Sequence, residues 1–275
     1  MIKILLGLSP SEAESRFAVE LAHLIGFCSI SREFPLVIDD LSQAEDGSDV
    51  YAVGCPALPA DERVRVIPVA VEGEDSEKIW RELADQLMPK LPNATARPAD
   101  YVSATEHSRK KPEQVQGGLE QLFSEGWLLT DADGDGLPDR EDVRFLLPAG
   151  AGRGLTAAAC NLACRLGLET CGVRYPLLAE EDNGSTSLIR FAADGNAPRI
   201  RRDAETPHKR ITVVGEENEL PRFTALLAER FPEAGEGRSL SELTAELQKS
   251  LSLQNADGQK AKTLNFRLDF FVFCC

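Results

Sequence analysis

Val143-Arg-Phe-Leu-Leu-Pro-Ala-Gly-Ala-Gly-Arg-Gly-Leu-Thr-Ala-Ala-Ala-Cys-Asn-Leu-Ala-Cys-Arg-Leu-Gly167 reads as a strand, a glycine-rich turn and a helix in direct succession. The apolar opening suits a buried strand, Pro148 to Gly154 interrupts it, and the Ala-rich run that follows is helical in character. Laid over the start of the chain with residue 143 on residue 2, the same unit returns. Ile2-Lys-Ile-Leu-Leu6 falls on Val143–Leu147, Leu21-Ala22 on Leu162-Ala163, Gly26 on Gly167, and Phe34-Pro-Leu36 on Tyr175-Pro-Leu177. No gap is needed from residue 2 to residue 37. Farther on, the residues around Gly73 match those around Gly215, and Leu83-Ala84 match Leu227-Ala228 after a two-residue shift. Matched Gly and Pro mark backbone turns, which chance rarely sets in register, so the chain reads as a tandem duplication.

Within the first copy, Ser9 or Ser11 caps a helix from Glu12 to Ile25. Strands follow at Phe34–Ile38, Asp49–Val53 and Val64–Val71, then a helix from Glu74 to Met88 with Ile79, Trp80, Leu83 and Leu87 inward. The alternation predicts an α/β fold of two tandem Rossmann-like repeat units with largely parallel sheets. The first unit covers 1–126, ending in an amphipathic helix at Pro112–Glu125 whose counterpart is Ser239–Leu251. The second unit covers 143–253, and 127–142 joins the two. Residues 254–275 resemble the joint and the first strand once more, with the acidic row reduced to Asn255, Asp257 and Gln259. The expectation is a third unit cut short, and therefore a fragment of a longer protein.

The joint carries the most readable chemistry. Asp131-Ala-Asp-Gly-Asp-Gly-Leu-Pro-Asp-Arg-Glu-Asp142 has the spacing of a calcium loop. Asp131, Asp133 and Asp135 supply alternate carboxylates, Gly136 the sharp turn, and Leu137 a backbone carbonyl. Asp139 and Asp142 complete the row. Hard cations need several oxygens at once, and alternating carboxylates on a tight turn deliver them. Asp142 is shorter than the usual closing Glu, and a strand rather than a helix follows, so helix-loop-helix geometry is not expected. The plain alternative is a solvated acidic turn.

At 275 residues with 43% apolar side chains, the chain is long enough for one large or two ordinary cores. A net charge of -15 disfavours phosphate backbones and anionic membranes, so neither nucleic acid nor membrane insertion is expected. Ile2–Leu6 is too short for the apolar core of a signal peptide. The expected setting is cytoplasmic, or extracellular or envelope if a secretion signal lies outside this sequence. Seven cysteines, an odd number, do not suggest a disulfide framework. Cys160 and Cys164 lie one turn apart in an apolar helix and read as buried small hydrophobes.

Three other features are candidate sites. Gly150, Gly152 and Gly154 stand between strand and helix, where dinucleotide phosphates bind, although the spacing is GxGxG. A helix-capping loop accounts for them as well. His23, His107 and His208 form no zinc signature, and His23 reads as a half-exposed neighbour of the core. The acids Glu72–Asp75 and Glu216–Glu217 follow strands in both copies and read as caps of helix N-termini.

The strand–loop–helix at 146–169, the Ile211–Pro221 segment and the aspartate loop together resemble small α/β accessory units of large bacterial envelope proteins. Such units precede the catalytic modules of some glycoside hydrolases and metallopeptidases, and occur in the periplasmic regulatory subunit of cellulose synthase. The resemblance implies a non-catalytic accessory or scaffold region whose partners are other domains of its parent protein, with structural Ca²⁺ in the aspartate loop. No catalytic residue carries over. The alternatives are a fragment of a hydrolase with its catalytic module beyond this chain, and a nucleotide-binding α/β protein.

Overall fold

A computed structural model describes residues 2–29, 33–55, 58, 61–67, 83, 87, 128–130, 139–170, 172–173, 176–184, 186–202, 209–230 and 240–257. The fold is α/β with largely parallel sheets. In the first sheet, β1 (Ile2–Leu6), β2 (Val37–Ile38), β3 (Asp49–Val53) and β4 (Val64–Val66) run parallel in the order β2-β1-β3-β4. A two-stranded antiparallel ladder, β5 (Leu129–Thr130) with β6 (Arg140–Glu141), leads into the second sheet. There β7 (Arg144–Leu146), β8 (Leu188–Ala193) and β10 (Arg210–Gly215) are parallel, while β9 (Arg199–Arg202) is an antiparallel edge. The order is β7-β8-β10-β9, and a single parallel bridge from Phe145 to Leu178 lies outside these strands.

Helix α1 (Glu12–Phe27) starts at a capping box. Glu14 N–H donates to Ser11 Oγ at 3.2 Å, and Ser11 N–H donates to Glu14 Oε2 at 2.7 Å, so two orphan donors are satisfied reciprocally. Helix α2 (Arg153–Leu168) starts at Gly152, which offers no capping side chain. Both helices are buried all round, from Phe17 to Gly26 and from Leu155 to Gly167, as expected of helices enclosed on every side. Residues from α1, α2 and both sheets form one apolar core. A smaller core of Leu5, Ile38, Ala44, Val50 and Ala52 lies on the other side of the first sheet. Helix α3 (Leu220–Arg230) packs on α2, and α4 (Leu240–Asp257) packs on α3 and β9, with its Leu247 and Leu251 buried.

α1 and α2 lie against each other in the same direction. At their beginnings Thr156 donates to Ser15, hydroxyl to hydroxyl at 3.0 Å, across 141 residues of chain. At their ends the backbones touch. A Cβ on Gly26 would sit 2.0 Å from Cys164 O, and a Cβ on Gly167 would sit 2.2 Å from His23 O. Only hydrogen in place of a side chain permits that approach. Cross-bonds are equally paired. Glu20 Oε1 accepts from the N–H groups of Leu177 and Leu178 at 2.7 and 3.1 Å, and Asn161 Oδ1 accepts from Leu36 N–H at 3.0 Å.

Most expected elements are present, with informative differences. β3 spans the predicted residues, whereas β2 is two residues long instead of five. Leu36 gives its N–H to the Asn161 side chain rather than to a strand, which shortens the ladder. β4 covers Val64–Val66, and residues 68–71 of the predicted strand lie outside the described residues. Leu83 and Leu87 are helical and buried, as the apolar spacing requires. Asn255 and Asp257, read as a degraded loop, are the last turn of α4. The helix runs on because buried Leu247 and Leu251 anchor the preceding turns and nothing before Gly258 breaks it. Residues 258–275, and with them the expected third strand, lie outside the described residues, as does the helix predicted at 112–125. β8 and β9 were not anticipated.

Candidate functional site

A cavity opens where the parallel strands of the first sheet end. It is a cleft of about 1060 Å³ lined by the residues after β1 and β3, with Arg153 of α2 reaching in from the other half. β1 is central, its chain crosses by α1 to β2 on one side, and the next strand, β3, pairs on the other. Such a reversal opens a crevice outside the carboxyl ends of the strands, where α/β proteins bind ligands. The two loops come together closely: a Cβ on Gly7 would sit 2.1 Å from Gly54 O.

The polar side chains of the cleft are tied locally. Arg153 Nη2 donates to Ile38 O at 3.0 Å and pairs with Asp39 Oδ1 at 3.2 Å. Glu14 is held in the capping box. Asp40 caps the 3₁₀ turn Leu41–Gln43 and accepts from the hydroxyl and backbone N–H of Ser42. Those bonds hold its carboxyl below the usual aspartate range. Cys55 leans its thiol on Leu5 O and Val53 O at 3.6 and 3.5 Å, and burial raises its pKa, which opposes the thiolate a nucleophile needs.

The glycine turn is arranged differently. Gly150 is exposed with φ of 68°, Gly152 is the N-cap of α2, and Gly154 lies in the first turn. A Cβ on Gly152 would be 2.1 Å from Glu217 Oε1, and one on Gly154 would be 2.4 Å from Glu217 O. The place over the helix N-terminus where a phosphate would bind holds the protein's own carboxylate. Glu217 thus lies beside the start of α2, where no side chain caps the helix by a hydrogen bond. The matching acids 72–75 lie outside the described residues.

Of the aspartate loop, Asp131, Asp133, Asp135 and Leu137 lie outside the described residues. Its ends are defined. Asp139 is half-buried and its N–H donates to Thr130 O at 2.9 Å, while Asp142 is exposed and its N–H donates to Leu128 O at 2.6 Å. Residues 131–139 therefore connect two paired strands, not two helices. Among the described residues no three His, Cys, Asp or Glu side chains gather as a metal site. Among them, too, no helix is long and apolar enough to cross a membrane.

Two buried ionisable groups were missed or misread. Glu20, on α1, is 6% exposed, and burial pushes its carboxyl up to about 7 against the lowering effect of the Leu178 and Leu177 N–H groups. His23, expected half-exposed, is fully buried, and burial pushes its pKa down to about 3. The backbone of Gly167 passes over it, which closes the face that sequence spacing left open. Its Nε2 lies 3.9 Å from Glu141 Oε2, beyond hydrogen-bond length. An acid or imidazole within an otherwise apolar helical stripe was the available signal. Cys160 and Cys164 are fully buried, and burial raises the Cys160 thiol far above its ordinary value. His107 and His208 lie outside the described residues.

Compared with protein families, curated proteins and solved structures, the chain matches none.

Proposed function

We propose that the chain is a tandem pair of Rossmann-like units fused about an approximate two-fold axis, serving as a non-catalytic accessory or scaffold region of a larger bacterial protein. The observation that carries the reading is the reciprocity of the contacts between α1 and α2. Residue 20 of the first copy holds the backbone at 177, and residue 161 of the second holds the backbone at 36. Under the alignment of residue 2 with residue 143, 20 corresponds to 161 and 36 to 177. Gly26 against Cys164 and Gly167 against His23 repeat the relation, and Ser15 with Thr156 lies on the axis. The bridge Phe145–Leu178 repeats the pair Ile4–Val37. A two-fold contact requires that i touch j and j touch i, and these pairs follow that rule.

The scaffold role rests on where the charged side chains are committed. Arg153, Glu14 and Glu20 each hold a backbone, a helix start or a neighbouring chain segment. Calcium in the loop Asp131–Asp142 would clamp the connection of β5 to β6, whose ends the Thr130–Asp139 and Leu128–Asp142 bonds already fix. Other domains of the parent protein are the proposed partners.

The test is turnover. The purified chain is assayed on chromogenic glycosides, peptides and esters beside Arg153→Ala and Glu14→Gln. The expected result is no turnover by any of the three proteins. Hydrolysis by the wild type that either substitution abolishes would replace the scaffold by a hydrolase.

A further inference from the structure

The cleft of the first sheet has no task in a scaffold. Leu5, Leu6 and Ile67 give it apolar walls. At its mouth stand Leu8, 83% exposed, and Val66, 62% exposed. Large apolar groups facing water around a concave site mark a place for a ligand with an apolar body. In the second half the turn after β7 abuts a pocket of about 80 Å³, and Gly152 and Gly154 of that turn are covered by Glu217.

The charge at the rim selects the other end of that ligand. Among the described residues, three carboxylates, those of Glu14, Asp39 and Asp40, line the cleft against the single cation of Arg153. Arg153 is spent on Ile38 O and Asp39. The Asp39 side chain nonetheless remains 73% exposed, so it retains acceptor capacity toward an incoming donor. An anion entering here would meet a net negative rim on a chain of net charge -15. A cation would be attracted by both.

We propose that this cleft binds a small cationic amphiphile, its apolar body on the leucine-lined walls and its protonated amine at Asp39 and Asp40. The proposal goes beyond the scaffold reading and needs neither the duplication nor the calcium loop.

The test compares two fluorescent probes with one ring system and opposite charge, monodansylcadaverine and dansylglycine, titrated into the full chain at low salt. The amine should bind about tenfold more tightly than the acid, the size expected from two nearby unbalanced charges in water. Asp39→Asn combined with Asp40→Asn should bring the two affinities together while both probes still bind. Cys55→Phe, which fills the cleft, should abolish binding of both. Val66→Arg, at an exposed position where folding is not at stake, should weaken the amine selectively. Failure of both probes to bind, equal or reversed preference in the wild type, or binding indifferent to Cys55→Phe and Val66→Arg would each overturn the proposal.

Discussion

Glu20 and Asn161 occupy matched positions on the two central helices, and each accepts a backbone N–H from the opposite half of the chain. α1 has a carboxyl group here and α2 a carboxamide, and the surroundings explain the difference. Asn161 has donors to place, and Nδ2 gives them to Pro221 O at 2.9 Å and Thr224 Oγ1 at 3.2 Å on α3. Glu20 has no such acceptors among the described residues, and its Oε2 is buried without a hydrogen-bond partner there.

Glu20 makes stability depend on pH. Its folded pKa is raised from 4.5 to about 7, so the folded state keeps a proton that the unfolded chain gives up. The contribution is fully present below about pH 4.5 and is lost as pH rises through about 7. Glu20→Gln keeps an acceptor for Leu177 and removes the titration. Between those limits the variant should gain on the wild type by on the order of 3 kcal/mol, read from urea midpoints across the pH series. A difference that stays flat with pH would show that Glu20 is ionised in the fold.

His23 acts at lower pH with the opposite sign. Its folded pKa is lowered from 6.5 to about 3 by burial, so its share of stability is present above about 6.5 and is lost as pH falls toward 3. Proton NMR should find one of the three imidazoles neutral and untitrated down to about pH 4 while the fold persists. An imidazole at residue 23 titrating near 6.5 would mean that the α1–α2 contact opens in solution.

Gly26→Ala and Gly167→Ala should each destabilise the protein by about 1–3 kcal/mol, because the new methyl meets a carbonyl oxygen of the partner helix. The sign is diagnostic. In a helix with free space the same exchange stabilises by roughly 0.5–1 kcal/mol. Chemical denaturation decides between the two, and a stabilised variant would remove the close helix contact.

Calcium should raise the melting temperature, and chelator should reverse the effect. At a hundredfold excess over Kd the gain is about 2.7 kcal/mol. Asp133→Ala with Asp135→Ala should abolish it, and Mg²⁺ should do less, since it demands near-ideal octahedral geometry. A melting curve unmoved by about 10 mM Ca²⁺ would leave an acidic turn.

The parallel α/β architecture was legible because apolar runs, glycine turns and an N-cap serine state local preferences that packing then respects. β3 and α1 lie where those signals put them. What was not legible depends on partners far away in sequence. β2 stops short because Asn161 takes the Leu36 N–H, and no local pattern reveals that. Arg153 looked like part of a flexible glycine turn, yet its guanidinium reaches Ile38 O across the sheet end. The antiparallel edge β9 pairs with β10 and not with β8, although both adjoin it in sequence, a choice that no strand's composition announces. Gly152 and Gly154 suggested room for a phosphate, whereas Glu217 from another loop occupies it.

The continuous burial of α1 constrains how the chain can be made. During synthesis α1 leaves the ribosome well before α2, with the face that will meet Gly167 and Cys164 still uncovered. That face is apolar from Phe17 to Ile25 and carries Glu20 and His23 with no opposite backbone yet in place. The main core of the first half therefore stays open until the second arrives, and only the small core on the far side of its sheet is its own. Completion of both halves is one event, and the interval before it is when the nascent chain is most exposed to aggregation or to pairing with another copy of itself.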